Sequence, residues 1–191
     1  MLSPEANRTL LPEHFKELAL PVSSLLILQL EIPLPTVLQI LETARRQGVE
    51  VLLNPAPFPA QGIPHDYYPA ISHLVLNEPE ASLLSGCDES EVDNLEGLSR
   101  IANILLARGA NTTIITLGGR GVYYLDAHGK SGLVPAEKVE VVDTTAAGDT
   151  FFGAYALQVV KPGFDVEQAV RWANKAAART VGRVGAGESI P

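Results

Sequence analysis

The apolar positions of this chain follow two periods, and they alternate. SSLLILQLEIP is a short apolar run closed by Pro33, which predicts a buried strand ending near Gln29 or Leu30 with Glu31 at its carboxyl end. Next, PLPTVLQILETARRQG places Val37, Ile40, Leu41 and Ala44 on one helical face, with Arg45, Arg46 and Gly48 closing the last turn. VEVLLNPAP predicts a second strand stopped by Pro55, and ISHLVLNEPE a third ending at Asn77. EPEASLLSG reads as a short helix ending at Gly86, and LEGLSRIANILLARG as a longer one ending at Gly109. TTIITLGGRG is a β-branched strand running into a glycine turn. GVYYLDAHGKSGLVPAEKVEVVDT alternates on both sides of a Gly-containing connection, the pattern of an antiparallel pair. Two helices follow, from about Ala147 to Val160 and from about Val166 to Val181.

Strands that alternate with helices predict an α/β fold, a mainly parallel sheet flanked by helices with an antiparallel hairpin at one side. Ligands in such folds sit beyond the carboxyl ends of the strands. That rule gathers Glu31, Asn54, Asn77, the Thr116 to Gly121 turn and Asp143 to Asp149 on one rim. The Pro- and Gly-containing stretch from Asn54 to Pro64 reads as a surface loop, and the whole of 1–191 as one domain.

Composition narrows the partners. The chain has 191 residues and a net charge of −8 without any Lys or Arg block, which argues against a nucleic-acid backbone or an anionic membrane. The apolar run Leu25 to Leu30 is far shorter than the ~20 residues of a membrane helix. Cys87 is alone, so no internal disulfide forms, and a reducing cytoplasmic address is the simplest expectation. It has no nearby His and reads as a structural thiol, and His14, His65, His73 and His128 show no metal-ligand spacing. Asn7-Arg8-Thr9 and Asn111-Thr112-Thr113 match the glycosylation pattern by chance.

The most informative stretch is DTTAAGDTFFGAY. Ala146, Ala147 and Gly148 let the backbone turn tightly, and the free N–H groups of a helix start face any anion there. Asp149 in the first turn fits two roles. It is favoured by the helix dipole as a cap. It is equally placed as a general base that takes a hydroxyl proton while the neighbouring N–H groups hold charge on a transferred phosphoryl group. Asn77 and Glu80 have the spacing of a capping box. TLGGRG lacks a following Gly-Lys-Ser/Thr, and GRVGAG lacks dinucleotide spacing.

DTTAAGDTFFGAYA resembles the C-terminal signature of the ribokinase-like (PfkB) family of sugar kinases. NEPEASLLSG resembles its Asn-x-x-Glu motif, TLGGRGVYY its nucleotide-site turn, and LLNPAP with LQLEIP its strand ends. The resemblance runs in order over essentially the whole chain. It implies transfer of the γ-phosphate of ATP to the primary hydroxyl of a pentose, D-ribose first, with Asp149 as base and Ala146 to Gly148 as anion hole. It implies an ATP site at Asn77, Thr116, Gly118, Gly121, Gly148 and Asn174, and a sugar contact at Glu31. Glu80 would organise Mg²⁺ through its waters. Asp143, Thr145, Thr180, Arg183, Gly185 and Ser189 would hold a monovalent cation, K⁺ by analogy, mostly through backbone oxygens.

By the same resemblance the chain matches the C-terminal, nucleotide-binding part of the family's domain. The N-terminal βαβ units, the lid sheet and most sugar contacts have no counterpart, nor does a helix after Pro191. The lid often supplies a homodimer contact in full-length relatives. Two further readings stay open: a non-catalytic fragment that keeps nucleotide binding, and a kinase for another sugar or a nucleoside.

Overall fold

The computed structural model describes residues 6–18, 23–59 and 62–191. Six strands form one sheet in chain order: β1 (Leu25–Leu28), β2 (Glu50–Leu53), β3 (His73–Asn77), β4 (Thr112–Thr116), β5 (Val122–Asp126) and β6 (Ser131–Val134). β1 to β4 run parallel, and β5 and β6 add antiparallel. The expected mixed sheet is therefore present. Its helices are α1 (Leu34–Gln47), α2 (Glu78–Ser85), α3 (Leu95–Ala107), α4 (Ala147–Val159) and α5 (Val166–Val181).

Strand residues alternate between two cores because successive side chains leave opposite faces of a pleated sheet. Val51, Leu53, Leu74, Leu76 and Ile115 pack with α1, α2 and α3 on one face. Leu52, Val75, Ile114, Val122 and Tyr124 pack with α4 and α5 on the other. Both clusters are needed to cover parallel strands, whose near-continuous apolar runs have no solvent face.

Local chemistry sets the element ends. α1 carries a proline in its first turn and stops at Gly48, whose φ of 67° is the left-handed cap expected from the sequence. The chain before β1 is strapped over α1: the Thr36 hydroxyl donates to Leu10 O and the Thr43 hydroxyl to Phe15 O, each at 2.7 Å. These two bonds explain why Thr36 and Thr43 are buried on an otherwise amphipathic helix.

Three boundaries differ from expectation. β1 ends at Leu28, because the next contacts belong to the loop after β2: Asn54 N–H donates to Leu28 O and Leu30 N–H to Ala56 O. α3 ends at Ala107, two residues before Gly109. The alternation across VEVV is not a strand. β6 stops at Val134, since Pro135 brings no N–H to the ladder, and Val139, Val141 and Val142 are left exposed. Residues 60–61 of the expected surface loop lie outside the described residues.

Candidate active site

The carboxyl ends of β1 to β4 form a rim, and the polar residues expected there sit on it in strand order. Asn54 follows β2, Asn77 ends β3 and Thr116 ends β4. α4 starts above β1. Its N-cap, Ala146, has φ 61°, the lone non-glycine residue with positive φ among those described. A left-handed alanine costs roughly 1–2 kcal/mol, so the surrounding loop must hold it.

That loop is fastened at several points. Asp143 Oδ1 accepts from Thr145 N–H at 2.9 Å and Oδ2 from Gly185 N–H at 3.0 Å. The N–H groups of Val142 and Asp143 both donate to Val181 O at the end of α5. Hydrogen bonds from the Thr145 side chain, then from the Gly185 and Thr145 backbones, hold the Asp143 carboxyl down to about 2. Below, the buried Thr180 hydroxyl donates to Thr150 Oγ1 at 2.9 Å and ties α5 to α4.

The helix start then presents open donors. Ala147 N–H is taken by Thr144 O at 3.2 Å, so it is not available to a ligand as expected. The N–H groups of Gly148 and Asp149 donate to no other group among the described residues. A Cβ added at Gly148 would meet nothing within 4 Å, and its φ is not in the left-handed region. Neither packing nor backbone conformation therefore requires a glycine there, whereas close approach of a ligand would.

Asp149 is exposed, and its Oδ1 accepts from Gln29 Nε2 at 3.4 Å. This contact joins the end of β1 to the start of α4. Glu31, two residues on, is exposed, and its backbone oxygen accepts from Asn7 Nδ2 at 3.0 Å.

Asn77 and Glu80 form the capping box that their spacing allows. Asn77 Oδ1 accepts from Glu80 N–H at 2.9 Å, and Glu80 Oε2 accepts from Asn77 N–H at 3.0 Å. Glu80 also accepts from Asn77 Nδ2 at 3.0 Å and from Asn54 Nδ2 at 3.2 Å. Burial pushes its carboxyl above the usual range against these three donors.

On the far side of the rim, the Thr116 hydroxyl donates to Leu76 O at 3.1 Å. Gly121, with φ 110°, is demanded by packing: a Cβ there would lie 2.0 Å from Val134 O. Arg120 pairs with Glu78 and donates to Val92 O, so the Gly118 to Gly121 turn is pinned to the start of α2. Asn174 Nδ2 donates to Pro135 O at 2.8 Å and holds α5 against the end of β6.

The geometry thus separates the expected residues into groups. Asp149 with Gly148 lies on the β1 side, Asn77 with Glu80 at the centre, and Thr116, Gly118, Gly121 and Asn174 on the β4 to β6 side. Asp143, Thr145 and Gly185 meet directly, and Arg183 N–H turns back to Thr180 O at 3.0 Å. Ser189 is buried and donates to Ala186 O, so its hydroxyl and that of Thr180 are spent on the protein. Gln29 and Arg120 were not singled out from the sequence. Their signal was position: one at a strand end, the other inside a glycine turn.

A separate cleft of about 430 Å³ opens at the amino ends of β2 to β4, lined by Glu50, His73, Thr112, Lys130 and Asp165 among others. It contains none of the residues above. No helix among the described residues is long and apolar enough to cross a membrane.

The model of the pfkB family of carbohydrate kinases matches residues 3–191. The chain belongs to that family. It is 43% identical to a ribokinase of Schizosaccharomyces pombe over 194 residues, covering 100% of this chain and 60% of the relative. Identity to a ribokinase of Staphylococcus aureus is 39%, covering 97% and 60%. A deoxyribokinase of Salmonella typhi is 36% identical, again over 97% and 60%. Among solved structures, a ribokinase of Thermotoga maritima superposes with a TM-score of 0.80 at 34% identity, covering 100% of this chain and 61% of that one. An Arabidopsis thaliana ribokinase complexed with ribose and ATP gives 0.78 at 29%, covering 88% and 53%. The chain therefore spans about 60% of the length of the curated relatives named here.

Proposed function

We propose that this chain carries the phosphoryl-transfer site of an ATP-dependent kinase acting on the primary hydroxyl of a pentose, D-ribose foremost. The observation that carries this reading is the start of α4, where unpaired N–H groups of Gly148 and Asp149 adjoin an exposed carboxylate held by Gln29.

In this reading Asp149 accepts the hydroxyl proton as the sugar oxygen attacks the γ-phosphorus. The two N–H groups hold the charge that grows on the equatorial oxygens. Phosphoryl transfer is mostly positioning, and the rim supplies a direction. From β1 to β4 is three strand spacings, roughly 14 Å. A nucleotide with its base toward Thr116, Gly118, Gly121 and Asn174 can extend its phosphates past Asn77 toward Gly148. Glu31, at the end of β1, is on the side where the sugar would enter.

Glu80 does not suit direct Mg²⁺ ligation: it is buried and already accepts from three donors. Its part in this reading is to orient Asn77. Bound with ATP, Mg²⁺ would neutralise phosphate oxygens. The monovalent-cation expectation fits better. The charge of Asp143 is held in place, the side chains of Thr180 and Ser189 and the oxygens of Thr180, Val181 and Ala186 are occupied, and the backbone oxygens of Arg183 and Gly185, which accept no bond among the described residues, would be the hard donors.

A second reading is favoured by length. A chain spanning about 60% of its relatives can keep the nucleotide half of the site without turnover, or serve another sugar such as deoxyribose. The test measures ribose-dependent ADP release by the purified chain with Mg²⁺ and K⁺, beside calorimetric titration with ATP. ADP release that vanishes in Asp149→Ala supports the first reading. ATP binding without release supports the second, and activity that survives the substitution removes Asp149 as the base.

A further inference from the structure

The pleat of the sheet sets a row of polar side chains at one end of an apolar face. Leu52, Val75, Ile114 and Tyr124 face α4 and α5. Glu50, His73, Thr112 and Asp126 lie two residues further along each strand and share that face. With Phe164 and Asp165 of the loop between α4 and α5, they line the cleft of about 430 Å³ at the amino ends of β2 to β4. Small-molecule sites span roughly 300–1,000 Å³.

The floor of this cleft holds unmet polar groups. His73 and Thr112 are only 5% and 6% exposed, yet His73 Nε2 and the Thr112 hydroxyl bond to no group among the described residues, and neither atom is sealed off from the cleft. The imidazole proton can be assigned. Tyr155 is fully buried and its hydroxyl bonds only His73 Nδ1, at 3.0 Å, so it donates there and leaves the ring proton on Nε2. The floor thus offers one N–H donor and one hydroxyl.

The walls carry uncompensated negative charge. Lys130 is spent on Asp165. Glu50 makes no ion pair or hydrogen bond among the described residues, and the Asp126 carboxylate accepts only from the backbone N–H groups of His128 and Lys130. After burial, the charges of these two carboxylates push the Tyr155 pKa up, so their field reaches the floor. Such a field repels phosphates. Glu50 and Asp126 stand on β2 and β5, three strand spacings or roughly 14 Å apart at the backbone, which is too far to chelate one metal ion. No metal-binding cluster occurs among the described residues. An organic cation meets both conditions, and the exposed part of the Phe164 ring adds a π face for it.

We propose that this cleft binds a small hydroxylated amine, its ammonium drawn by Glu50 and Asp126 and its hydroxyls set on His73 Nε2–H and the Thr112 hydroxyl. The site lies at the opposite ends of the strands from Asp149 and stands apart from the kinase reading.

The test follows backbone amides of the full chain by NMR during titration with 2-amino-1,3-propanediol. Glycerol replaces its ammonium by a hydroxyl, and isopropylamine lacks both hydroxyls. Saturable shifts at His73, Thr112 and Lys130 are expected with the aminodiol, with affinity at least about fivefold weaker for each of the other two. Glu50→Gln should weaken aminodiol binding by a similar factor, and Thr112→Val should bring it toward that of isopropylamine, with circular dichroism checking both folds. Asp149→Asn should leave it unchanged. Equal affinity for the three compounds, no saturable shift, or binding unmoved by Glu50→Gln overturns the proposal. Shifts confined to Asn77 and Gly148 overturn it as well, by placing the amine on the rim.

Discussion

Gln29 Nε2 donates to Asp149 Oδ1 at 3.4 Å, so a strand end and a helix start 120 residues apart meet at one carboxylate. The amide can hold the carboxylate but cannot take its proton. If Asp149 is the base, Asp149→Asn should lower transfer by about 10²–10⁴-fold while ATP affinity and melting temperature stay near those of the parent. Gln29→Leu removes the donor to that carboxylate and should lower transfer while ATP affinity stays that of the parent. Unchanged transfer would show that Gln29 does not touch the working carboxylate.

Gly148 separates function from folding. Nothing lies near its missing Cβ, and a helix prefers alanine to glycine by up to about 1 kcal/mol. Gly148→Ala should therefore leave stability equal or slightly higher in urea denaturation, yet weaken ATP-dependent turnover at least about tenfold by filling the space before the donors. Full turnover in the alanine variant would mean that no phosphate approaches this backbone.

The contrast between these residues shows what the sequence made legible. Period and punctuation located the six strands and the five α-helices, because Gly48, Pro55 and Gly86 end elements by local rules. The capping box at Asn77 was legible for the same reason. The role of Gln29 was not, since its partner is 120 residues away. VEVV misled because alternation marks a strand only where a neighbour offers a ladder, and β6 has already ended at Pro135. The bond from Ala147 N–H to Thr144 O was not legible either, because a turn bond depends on the loop geometry, which no spacing encodes.

Glu80 is held by three donors, and its removal has a defined cost. Glu80→Ala removes the acceptor of Asn77 N–H, Asn77 Nδ2 and one hydrogen of Asn54 Nδ2, whose other hydrogen stays on Val75 O; with Asn77 open to water, the chain should be destabilised by about 1 kcal/mol. The urea midpoint should fall without a change of slope. A variant that keeps its midpoint but loses Mg²⁺-dependent ATP affinity would instead make Glu80 a direct ligand.

His73 contributes acid sensitivity to the fold. It is buried against Tyr155, whose hydroxyl lies 3.0 Å from Nδ1, and is packed edge-on by Phe164. Burial lowers its pKa from 6.5 to about 4. Because the folded value lies below the unfolded one, the unfolded chain binds the proton more readily between these limits. The stability that His73 contributes is complete above pH 6.5 and is lost as pH falls toward 4. At pH 4.5 the loss from this group alone should be about 2.5 kcal/mol relative to pH 7. Urea unfolding at the two pH values measures it, with His73→Gln as the non-titrating control. The variant starts lower at pH 7, since the Tyr155 contact is disturbed, but should show a correspondingly smaller drop on acidification. An equal drop in both proteins would assign the acid sensitivity to other groups.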